Sequence, residues 1–112
     1  MTIGPGTCVV LYLGSPREQV FGLVLEMGAP GIVLRGLTLA SVDDWMRELH
    51  VADDGVWSHV GLATTFYPMH RVEKVVLDEP AGEAPAISGR FEARTGMTFA
   101  SFVELESGPF DR

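Results

Sequence analysis

The first forty residues constrain the fold most. They hold three long apolar runs, Thr7–Leu13 (TCVVLYL), Gln19–Met27 (QVFGLVLEM) and Ile32–Ala40 (IVLRGLTLA), separated by the short polar or glycine- and proline-rich stretches 14–18 and 28–31. Apolar, β-branched runs of this length between turn residues read as β-strands joined by tight turns. Many consecutive positions are apolar, so both faces of these strands require cover, as in a small barrel or an oligomer. Gly22 and Gly36 fall inside successive strands. Interior strand glycines mark bends or close backbone approach, so the sheet is expected to curl.

A helix is expected next. Val42, Trp45, Met46 and Leu49 recur at helical spacing. Ser41 is placed to cap it, with Asp44 three residues later as an acidic variant of the capping box. The helix should end near His50, and Asp53-Asp54-Gly55 then signals a turn. Val56–Tyr67 returns to strand composition, Pro68-Met69-His70 interrupts it, and Arg71–Asp78 reads as a fifth strand. Residues 79–88 contain two prolines and few large apolar side chains, the composition of a flexible linker. The tail 89–112 carries Phe91, Met97, Phe99, Phe102, Val103 and Leu105, more than a solvated tail needs, and Thr98–Glu106 fits a short helix that docks. The expected architecture is therefore mainly β. Residues 1–78 form a five-stranded, strongly bent antiparallel small barrel with a short helical insert at 41–50, followed by the linker and a partly helical C-terminal extension.

Charge limits the range of functions. The formal net charge is −7. Residues 1–39 and 61–78 are each balanced, whereas 40–60 hold one Arg against five acids and 79–112 three Arg against six acids. Polyanion binding rests on clustered Lys and Arg, so RNA is not an expected partner. A single cysteine, Cys8, rules out an internal disulfide framework and multi-cysteine zinc sites and reads as a small buried hydrophobe. No apolar run approaches the ~18 residues of a membrane span, and no basic segment precedes a hydrophobic one at the start. A cytoplasmic protein without membrane contact is the expectation.

Nucleophile elbows, phosphate-cradling glycine loops and dinucleotide fingerprints are all lacking in the sequence, and no cofactor or enzymatic activity is expected. His50, Asp53, Asp54 and His59 could gather on a divalent metal in a metal-dependent enzyme, but their spacing matches no metal motif and a simple polar turn explains them. The candidate ligand-binding residues are Phe66, Tyr67, His70 and Arg71: an aromatic platform, an imidazole and a cation at the break before the last strand. With Lys74 they define the alternative of a nucleotide or nucleic-acid binder. The competing reading is a turn whose side chains cover the sheet edge, with Arg71 paired to an acid of the helical insert. Arg35 is expected to face solvent or to meet a carboxylate such as Glu26.

Residues 7–78 resemble, in topology, the Sm-like fold. The bearing residues are Gly22 in a bent second strand, the hairpin Leu23–Leu34, and Phe66-Tyr67-Pro68-Met69-His70-Arg71-Val72 as the link between the last two strands. The resemblance implies homo-oligomeric rings in which the fourth strand of one subunit pairs with the fifth of the next. The family's RNA-holding residues do not carry over. The hairpin reads Glu26-Met27-Gly28-Ala29-Pro30-Gly31 in a chain without a single Asn, and Pro68 and Met69 stand where the family has Arg-Gly. The expected function is thus a non-enzymatic homo-oligomer joined through strand edges, an interaction module for an unidentified protein partner.

Overall fold

The computed structural model describes residues 2–49 and 61–107. They form a five-stranded antiparallel sheet with three helices on its outer face. The strands are β1 (Cys8–Leu13), β2 (Glu18–Met27), β3 (Gly31–Thr38), β4 (Ala63–Pro68) and β5 (Val72–Leu77). The helices are α1 (Val42–Glu48), α2 (Ile87–Thr95) and α3 (Phe99–Ser107). The spatial order β4-β3-β2-β1-β5 leaves β4 and β5 at opposite borders, and no backbone hydrogen bonds join them into a closed barrel.

Alternation along the strands divides the apolar residues into two layers. Val9, Leu11 and Leu13 of β1, Val20 and Val24 of β2, and Ile32 and Leu34 of β3 form the inner cluster, bordered by Tyr67, Val72 and Val75. Val10, Phe21 and Leu23 point to the outer face, where α1, α2 and α3 cover them. Gly22 lies opposite Gly36 across β2 and β3. A Cβ at Gly22 would stand 2.6 Å from the Arg35 carbonyl oxygen, and one at Gly36 would run into the Phe21 carbonyl. The sheet can bend here because neither position carries a side chain.

The outer layer is built on aromatics. Trp45 of α1 stacks on Phe91 of α2, with ring centroids 5.7 Å apart and planes 8° apart. Phe91 meets Phe99 edge-on at 5.4 Å, and Phe99 reaches Phe21 of the sheet at 5.1 Å. Phe91, Phe99 and Phe102 are fully buried. Polar contacts lock the helices together. Arg90 donates to Asp43 at 2.8 Å, and Arg94 donates to the carbonyls of Arg47 and Leu49 at the C-terminal end of α1. Those carbonyls have no partner within their own helix, so a guanidinium is well suited to them.

Three local expectations are corrected. Ser41 does not cap α1: it belongs to the 3₁₀ turn Leu39–Ser41, has helical backbone angles, and bonds Thr38 Oγ1 at 2.8 Å. A side-chain N-cap needs an extended residue there. Asp44 pairs instead with Arg47. The chain also turns helical inside the stretch read as a linker. Asp78, just beyond β5, accepts the N–H groups of Ile87 and Ser88 at 2.8 Å each and starts α2 from outside it. Gly96, at φ 84°, ends α2 with its N–H on the Glu92 carbonyl, the left-handed cap that glycine adopts without strain. The expected strand from Val56 is observed from Ala63: Gly61 and Leu62 are not part of it, and residues 56–60, like the Asp53-Asp54-Gly55 turn, lie outside the described residues.

Candidate functional site

Residues 66–71 are arranged by alternation and by one arginine. Phe66 lies opposite Val33 and Tyr67 opposite Ile32, so consecutive aromatics point to opposite faces. Tyr67 packs on the inner cluster, while Phe66 lies over Gly31 and is 53% exposed. They do not make one platform. Pro68 then leads into the 3₁₀ turn Met69–Arg71, pinned by the Met69 N–H on the Pro30 carbonyl at 2.9 Å. His70 is exposed on this turn.

Arg71 faces away from His70's solvent and clamps the β1–β2 turn. Its Nε donates to the Gly14 carbonyl at 3.1 Å, and its Nη2 donates to the Pro16 carbonyl at 2.8 Å and to Glu18 Oε1 at 3.0 Å. Its partner is thus Glu18 of β2, not an acid of the helical insert. The fork geometry of guanidinium suits such divergent acceptors. The turn it holds contains the cis peptide Ser15-Pro16, with Ser15 at φ 53°. Lys74 places its ammonium 4.7 Å from the Tyr12 ring centroid. Arg35 donates to Thr64 Oγ1 at 3.2 Å, on the outer face between β3 and β4. Of the candidate residues, then, Phe66 and His70 face solvent, whereas Tyr67 and Arg71 are engaged in holding the fold together.

Cys8 is half-buried, and its thiol is pushed up to about 12, first by burial and then by the negative charge of Asp78. It stays protonated and unreactive at neutral pH. His50, Asp53, Asp54 and His59 lie outside the described residues. Among the described residues no helix is long and apolar enough to cross a membrane.

The two borders of the sheet are the other candidate surface. The Asp78 N–H donates to the Cys8 carbonyl at 3.0 Å. Antiparallel ladders alternate, so Val76 and Lys74 also turn their backbone groups to β1, and Val75 and Leu77 turn theirs to the open border. On β4, the Met69–Pro30 bond sets the same alternation: Thr65 and Tyr67 bond β3, and Thr64 and Phe66 face outward. This border strand, Ala63-Thr64-Thr65-Phe66-Tyr67-Pro68, carries no charge. Sequence reading located both borders; which of their residues turn outward appears only when hydrogen-bond parity is known. Comparison of the chain with protein-family models, curated proteins and solved structures finds no match.

Proposed function

We propose that the chain is a non-enzymatic subunit of a homo-oligomer. In this reading it is a small barrel of the Sm-like kind whose open borders are completed by neighbouring copies, and the assembly presents its outer surface to a protein partner. The observation that carries the reading is that, among the described residues, β4 and β5 are the two outermost strands of the sheet and no further strand pairs with either. Sheet edges are normally blunted by charge, bulges or cover. The β5 border has the bulge opposite Tyr12 and Leu13 and the charged Glu73 and Lys74, whereas among the described residues β4 has only Pro68 at its last position. An uncharged edge of this length is suited to pairing with another strand.

Three features support the Sm-like form: the strand order with the fourth and fifth strands outermost, the 3₁₀ turn between them, and the close backbone approach at Gly22 and Gly36. The nucleotide-binding alternative has less support, since Tyr67, Arg71 and Lys74 are each engaged within the fold. Assembly is tested by light scattering after size exclusion at tens of micromolar. A mass that is a whole multiple of the 12.1 kDa chain is expected. Thr64→Pro removes one border N–H while leaving the β3–β4 ladder its bonds, and should lower that mass with the circular dichroism retained. A parent chain at monomer mass overturns the proposal.

A further inference from the structure

We draw no further inference here: the strongest candidate, the apolar patch that the exposed Phe66 and its cross-strand neighbour Val33 form on the outer face of the sheet, carries nothing because nothing among the described residues shows what covers it.

Discussion

Replacing Phe91 by alanine asks whether the C-terminal helices belong to the folding unit. Phe91 is fully buried between Trp45, Phe99 and Phe102, on a helix held by Asp78 at one end and by Arg90 and Arg94 along its length. Truncating a buried phenylalanine costs about 3–5 kcal/mol, the lost transfer energy plus the cavity left behind. The flat stack on Trp45 contributes roughly 0.5–1.5 kcal/mol beyond area. For a chain of this size each kcal/mol lowers Tm by about 4 °C, so a drop of about 12–20 °C is expected. Urea and thermal unfolding, followed by circular dichroism and by tryptophan fluorescence, should fall together in one transition. Leu105→Ala is the control, because Leu105 is 54% exposed on α3 and its truncation should cost less than about 0.5 kcal/mol. A double-mutant cycle with Trp45→Ala should return a coupling of about 0.5–1.5 kcal/mol. If Phe91→Ala melts within about 2 °C of the parent, a shift worth only ~0.5 kcal/mol, the tail is not part of the cooperative core and the packing argument fails.

Three further outcomes follow from the clamp and the thiol. Arg71→Lys should destabilise by about 2–3 kcal/mol despite keeping the charge, because one ammonium cannot reproduce the divergent donors that hold Gly14, Pro16 and Glu18; denaturant midpoints equal to the parent's would refute that role. Cys8 should resist alkylation at pH 8 until the protein is unfolded, and rapid labelling of the native chain would contradict its environment. Its raised pKa also has a sign: the unfolded thiol ionises near 9.0 and the folded one near 12, so this contribution is intact below pH 9 and is lost as the pH rises through that window. Stability of a Cys8→Ser variant should be less sensitive to pH there.

Much of the fold is legible in the residues alone. Apolar β-branched runs between turn residues mark β1, β2, β3 and β5, since a local period and a local turn suffice to define a strand. The paired glycines announce close backbone approach between β2 and β3, because a missing Cβ is itself its cause. Phe99, Phe102 and Val103 mark α3 by spacing. The amphipathic stripe of α1 is equally plain, with Val42, Trp45 and Met46 buried.

What tertiary structure decided involves partners distant in sequence. Residues 87–95 have only Phe91 as a deeply buried side chain, too little local signal for a helix. Asp78, Asp43 and the end of α1 supply the capping and pairing that hold α2, and they come from other elements. Arg71 finds Glu18 fifty-three positions away because β1 lies between β2 and β5 and brings their ends together. Phe66 and Tyr67 look like one aromatic platform in a string of letters, yet the pleat sends one inward and one outward. Which backbone groups turn outward at the borders is likewise unreadable in the sequence. Every residue but proline carries the same donor and acceptor, and only the neighbouring strand determines which of them face outward.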